Sequence, residues 1–230
     1  MREIKPVTGR QRAALVILLC LAAVLAVCWI AAGIASNFRP HNAADFGFDD
    51  LQSGRDADGD GIDDFADMVA GAREYIATDP EYVSKYYAGG YPDEGEGVCT
   101  DVIWHAFAAA GYSLKDMVDA DIAADAGAYF AEGEAHDPNI DFRRVRNLLV
   151  FFRRNAEELT VSLRRPSDWM PGDIVVFDGH IAICSDVRNG SGIPYIIHHA
   201  DNIRRAAEAD DIGSMTVVGH FRFSRDGAEK

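Results

Sequence analysis

The sequence predicts an α+β domain. Amphipathic helical patterns come first, short Val/Ile/Phe-rich segments come second, and the texture changes near Pro166. That order points to helices packed on a small antiparallel sheet rather than to a doubly wound fold. With 230 residues, 48% of them hydrophobic, the chain has material for one ordinary core.

Ahead of this domain the stretch "AALVILLCLAAVLAVCWIAAGIAS", residues 13–36, carries no charge and is long enough for a transmembrane helix. Arg2, Lys5, Arg10 and Arg12 precede it against a lone Glu3. The positive-inside rule then predicts a cytoplasmic tail over 1–12, a single-pass anchor in the cell membrane over 13–36 and an extracytoplasmic domain. Residues 37–55 mix Pro, Gly, Asn and Asp without periodicity and read as a linker. The formal net charge of -15 argues against nucleic acid as a partner.

Within the domain, Met68 or Val69, Ala72, and Tyr75 or Ile76 recur at helical spacing over "FADMVAGAREYIAT", and Asp79-Pro80 closes that helix. The turn-rich "YYAGGYPDEGEG" leads to a helix that begins at Cys99 and ends at Gly111. A further helix is expected over about 116–131. Asp141 is expected to cap "FRRVRNLLVFFRRN", where Phe142, Val145, Leu148 or Leu149 and Phe152 form one apolar stripe. "DIVVF", "HIAICSDV", "IPYIIHH" and "TVVGHFRF" then read as strands.

Cys20 and Cys28 lie in the apolar run, which leaves Cys99 and Cys184 in the domain. A cysteine at a helix start meets unpaired backbone N–H groups and the positive end of the dipole, which favour a thiolate; Asp101 in the first turn opposes it. An imidazole is therefore needed. His180 opens the strand "HIAIC", and a third group must hold its ring. His198 and His199 end the next strand on opposite faces, so one of them faces His180; His198 is the choice. A Cys99–Cys184 disulfide is the competing reading, and it excludes the first because four strand residues span about 13 Å. Zinc held by Cys99, His180 and His198 is another, though no close ligand pair is present. His105 and His220 read as structural, and His41 and His136 as loop residues.

"YYAGGYPDEGEGVCTDVIWHAFAAAGY", "PGDIVVFDGHIAIC" and "YIIHHA" together resemble the plan of the NlpC-type, papain-like cysteine peptidases. "GVCTDV", "DPNIDFRRVRNLLVFF", "PGDIVVFDGHIAI", "IIHH" and "GHFRF" resemble more closely the motifs of the YijF-like family, exported bacterial proteins with a domain of unknown function allied to that clan. The resemblance spans about residues 65 to 223. It implies a papain-like core over 65–225 with Cys99 as nucleophile, His180 as base, His198 as orienting residue and Tyr86 near the reacting carbonyl. The chain departs from the NlpC pattern in reading Cys-Thr-Asp for Cys-Ser-Gly, and from the YijF-like pattern in His199, where Asn is usual.

"DADGDGIDDFAD", residues 56–67, places carboxylates at positions 1, 3, 5, 9 and 12 of a nearly EF-hand spacing, with Gly61 at position 6. Asp56, Asp58, Asp60, the carbonyl of Ile62, Asp64 and Asp67 are the expected ligands of a structural Ca2+. Asp67 replaces the usual bidentate glutamate. In the basic segment, Arg143, Arg144, Arg146, Arg153 and Arg154 are expected to pair with the protein's own acids, with Arg144 and His199 as candidates for contact with substrate.

The expected function is a membrane-anchored, extracytoplasmic cysteine hydrolase that cleaves an amide, with peptidoglycan stem peptides as the substrate the resemblance implies. No organic cofactor is expected. The competing functions are a non-catalytic, calcium-dependent wall-binding module on a peptidase-like fold, and a cysteine peptidase or acyltransferase acting on proteins.

Overall fold

The computed structural model describes residues 17–27, 29, 40–49, 51–201 and 205–224. The chain divides into two compact units, Met1–Pro40 and His41–Lys230. In the first, residues 17–27 are helical. Among the described residues no helix is long and apolar enough to cross a membrane, which overturns the expected transmembrane helix over 13–36. Residues 1–16, 28 and 30–39 lie outside the described ones, and with them the expected cytoplasmic tail.

The second unit is α+β, as its sequence predicts. Its helices are α1 (Asp64–Ala77), α2 (Cys99–Ala109), α3 (Leu114–Ala124) and α4 (Val145–Asn155). A short parallel pair, β1 (Glu81–Tyr82) and β2 (Glu96–Gly97), lies between α1 and α2. The main sheet holds β3 (Glu157–Glu158), β4 (Ile174–Phe177), β5 (His180–Arg188), β6 (Pro194–Ala200), β7 (Arg205–Ala209) and β8 (Val217–Arg222). Its order is β3-β8-β4-β5-β6-β7, antiparallel throughout.

Alternation along the strands divides the core in two. Ile174, Val176, Ile181, Ile183 and Ile197 face the helices and pack with Met68, Ala72, Val102 and Phe107. Val175, Phe177, Ala182, Cys184 and Ile196 face the other way and pack on Trp169 and Ile212. α1 approaches α2 closely because Gly71 has no side chain: a Cβ there would collide with Ala109 and the carbonyl of His105. α2 ends where Gly111 adopts φ +79, as expected.

Three expectations change. The helix expected over 116–131 stops at Ala124 and passes into a 3-10 turn at Ala126–Ala128. Asp141 does not cap a helix from 142; it begins a 3-10 turn, Asp141–Arg143, and α4 starts at Val145. Its carboxylate binds Arg144, Asn147, His136 and the backbone N–H of Asp137 instead. The linker reading ends early, because His41 bridges to Arg188 in β5 and the Phe48 ring lies against the Arg188 guanidinium.

Candidate active site

Cys99 is the first residue of α2. The helix start is held by Asp101, which accepts the backbone N–H of Val98 at 2.7 Å and the Trp104 indole N–H at 2.8 Å. The same carboxylate takes a bidentate ion pair from Arg143, at 2.7 and 2.8 Å, with both side chains buried. Arg143 therefore stands apart from the solvated basic face. The others pair as expected: Arg144 with Asp141, Arg146 with Glu134, Arg153 with Glu158, and Arg154 with Asp121 and Asp125.

The sulfur lies at an opening in the sheet. Pairing between β5 and β6 runs Arg188–Pro194, Cys184–Ile196, Ile183–Ile197, and stops. The N–H of Cys184 turns toward Asp173, on the β4 side, so those of Ile183 and Ile181 turn toward β6. In a continued ladder Ile181 would bond His199. Instead the N–H groups of Ile181, Thr100 and Cys99 itself act on the Cys99 sulfur, each favouring its thiolate. Burial nevertheless dominates and pushes the thiol up to about 11, with Asp101 adding to the rise and the three N–H groups opposing it. Cys99 is only 5% exposed.

The three histidines flank this opening. His180, half-buried, turns Nε2 to Nδ1 of His198 at 3.0 Å and lies over the Phe177 ring, on the face of Phe177 and Ala182. Burial pushes His180 down to about 4, helped by His198 and His199; His198 and His199 are also lowered, chiefly by burial. His199 faces the helices. Its Nδ1 meets the Tyr75 hydroxyl at 2.8 Å, and the Tyr82 ring stands edge-on to it at 5.1 Å. Burial pushes Tyr82 up to about 12, and the charge of the Cys99 thiolate would add to the rise.

Of the expected triad, His180 and His198 are joined. No hydrogen bond joins the sulfur to an imidazole among the described residues. Tyr86 is not at this site: it is 56% exposed and bonded to Asn139 and Asp137. Tyr82 and Tyr75 meet His199, and sequence reasoning missed Tyr82, whose only signal is its place before the turn-rich stretch. His199, expected to meet substrate, is fully buried. Arg144, half-exposed, is held by Asp141. A cavity of about 340 Å³ lies beside Asp101, lined by Tyr75, Trp104, His105, Tyr91 and Glu96.

Cys99 and Cys184 are both free thiols, so the disulfide does not form. Cys184 faces Trp169 on the second side of the sheet. Cys99, His180 and His198 do not bring ligand atoms to a common point; among the described residues that occurs at Asp56, Asp58 and Asp60. His220 is structural as expected, buried, stacked on Trp169 at 3.7 Å and bonded to Asp173 at 2.9 Å.

A family model described as a domain of unknown function, DUF1287, matches residues 69–223. The chain belongs to this family. It is similar to the uncharacterized protein YijF of Escherichia coli (strain K12), with 34% identity over 168 residues, 68% of this chain and 80% of the relative. No solved structure matches the chain. The matched residues contain every group of the thiol–histidine site, from Tyr75 to His199, whereas the aspartate loop precedes them.

In that loop Asp56 accepts the N–H groups of Gly59, Asp60 and Gly61, Asp58 that of Asp60, and Asp60 that of Ile62. Asp64 departs from the expected ligand set. It is buried, and its two oxygens are taken by the Ala57 N–H and the Tyr112 hydroxyl, so it fastens the loop to α2's far end.

Proposed function

We propose that the family's fold in this chain carries a cysteine hydrolase of NlpC type, in which Cys99 attacks an amide carbonyl and His180 serves as general base. The observation that supports this reading best is the His180–His198 bond. With Nε2 engaged, Nδ1 is the nitrogen left for the thiol. His180 is the first residue of β5, one residue before Ile181, whose N–H is among the backbone groups that favour the Cys99 thiolate; the reading requires Nδ1 to face the thiol when substrate is bound, with Nε2 still held by His198.

Burial holds both partners neutral, so the proton moves to His180 as the carbon–sulfur bond forms. The N–H groups of Cys99, Thr100 and Ile181 surround the place where an oxyanion would develop. His180 then returns the proton to the leaving amine, and water releases the acyl group by the same route in reverse. The likeness to NlpC-type enzymes supports a peptidoglycan stem peptide as substrate.

The test is cleavage of purified muropeptides by the protein and by Cys99→Ala. Loss of cleavage in the variant supports the reading, and equal cleavage overturns it. Absence of cleavage in both, with calcium-dependent binding to wall material, favours the non-catalytic wall-binding reading, which the sealed sulfur supports. Products from a folded protein substrate in place of muropeptides would favour the protein-directed enzyme.

A further inference from the structure

We infer that residues 56–67 form a calcium site, independent of the thiol chemistry, with Asp56, Asp58, Asp60, the main-chain carbonyl of Ile62 and Asp67 as its protein ligands. Asp56, Asp58 and Asp60 each offer a carboxylate oxygen, and these atoms lie within 4.8 Å of one another. Three anions held this close repel strongly unless a cation stands among them. Such a cluster by itself is a common surface feature.

The second observation is Asp67. It sits in the first turn of α1, is only 6% exposed, and its Oδ2 is buried with no hydrogen-bond partner. The charged groups nearest to it are the loop's own carboxylates, Asp60 and Asp58 foremost. Asp67 stands outside the tight set of three, at the position that closes an EF-hand-type loop. A buried acceptor without a donor costs free energy, and one close to other carboxylates costs more. A divalent cation among them removes both penalties.

The donor set is all oxygen, which selects a hard cation. Exposed Asp56, Asp58 and Asp60 leave room for water to complete six to eight ligands, a number that suits Ca2+ rather than octahedral Mg2+. Asp64 takes no part, being engaged by Ala57 and Tyr112. Asp63 is likewise engaged, capping α1 at Phe65 and binding Ser53 and Gly54.

The experiment is isothermal titration of the chelator-treated full chain with CaCl2 and, separately, MgCl2, alongside Asp60→Asn and Asp67→Asn. The expected result is one calcium per chain, with affinity weakened about tenfold or more in each variant and weaker magnesium binding. Asp60 is exposed, so its variant keeps the fold, which far-ultraviolet circular dichroism checks. Absence of calcium binding up to about 10 mM, well above the range of extracellular modules, would overturn the site. So would unchanged affinity in Asp60→Asn. Unchanged affinity in Asp67→Asn alone would overturn the assigned role of the buried carboxylate.

Discussion

The backbone N–H of Ile181, at the start of β5, acts on the sulfur of Cys99, the first residue of α2, and favours its thiolate. That amide is one a longer β5–β6 ladder would use for His199, since the β5–β6 pairing runs only as far as Ile183–Ile197. The sulfur thus sits where the sheet parts, with the His180–His198 pair on one face and His199 with Tyr75 on the other.

The pH dependence of thiol reactivity follows from the neutral resting state. Burial pushes Cys99 up to about 11 and His180 down to about 4, so no thiolate–imidazolium pair stands ready at neutral pH. Iodoacetamide labelling is expected to rise steadily through the alkaline range without a plateau between pH 5 and 8. A plateau there would show a preformed ion pair.

His198 is expected to act by positioning His180. His198→Ala should lower the rate of muropeptide cleavage by about 10²-fold or more with little change in KM, and His198→Asn should restore part of it, because an amide can still bond Nε2. Equal loss in both variants would indicate a packing role only.

The buried Asp101–Arg143 pair should matter far more to stability than the exposed basic residues. Arg143→Ala leaves Asp101 buried without its partner and is expected to cost about 3–5 kcal/mol. Arg146→Ala, whose pairing with Glu134 is exposed, should cost less than about 1 kcal/mol. Urea denaturation of the two variants checks the difference.

The histidines should make the fold acid-sensitive. His180, His198 and His199 all have folded-state pKa values below the ordinary 6.5, so the unfolded chain binds more protons as pH falls. Stability is full above about pH 6.5 and declines toward pH 4, where His180 titrates in the folded state. Each fully titrating ring contributes a slope of about 1.4 kcal/mol per pH unit. Urea midpoints between pH 7.5 and 4.5 should fall, and less steeply in His199→Gln.

Gly97 holds the Tyr75–His199 contact open. A Cβ there would collide with the Tyr75 hydroxyl and stand 3.2 Å from Asp101 Oδ2. Gly97→Ala is expected to destabilise the protein by about 1–3 kcal/mol and to displace Tyr75. An unshifted His199 ring resonance in the variant would contradict this.

Much of the fold was legible in the sequence because it is written in side-chain periodicity. α1, α2 with its glycine stop, and the four Val/Ile/Phe-rich strands all follow from that signal. β7 did not, since "RAAEA" carries no apolar alternation and its pairing with β6 supplies the strand. The apolar run at 13–36 predicts a membrane-spanning helix from composition alone, whereas among the described residues no helix is long and apolar enough to cross a membrane. In the site, Cys99, His180 and His198 were legible from residue type and position. Ile181 was not, because its contribution is a main-chain N–H, which every residue but proline possesses. Arg143 was hidden in a basic run; nothing in "FRRVRN" tells which arginine turns inward to Asp101.

Cys99 is only 5% exposed, so the little access its sulfur has favours slender electrophiles over broad ones. Acrylamide should outpace a bulky maleimide at Cys99, and any covalent inhibitor will need a thin warhead.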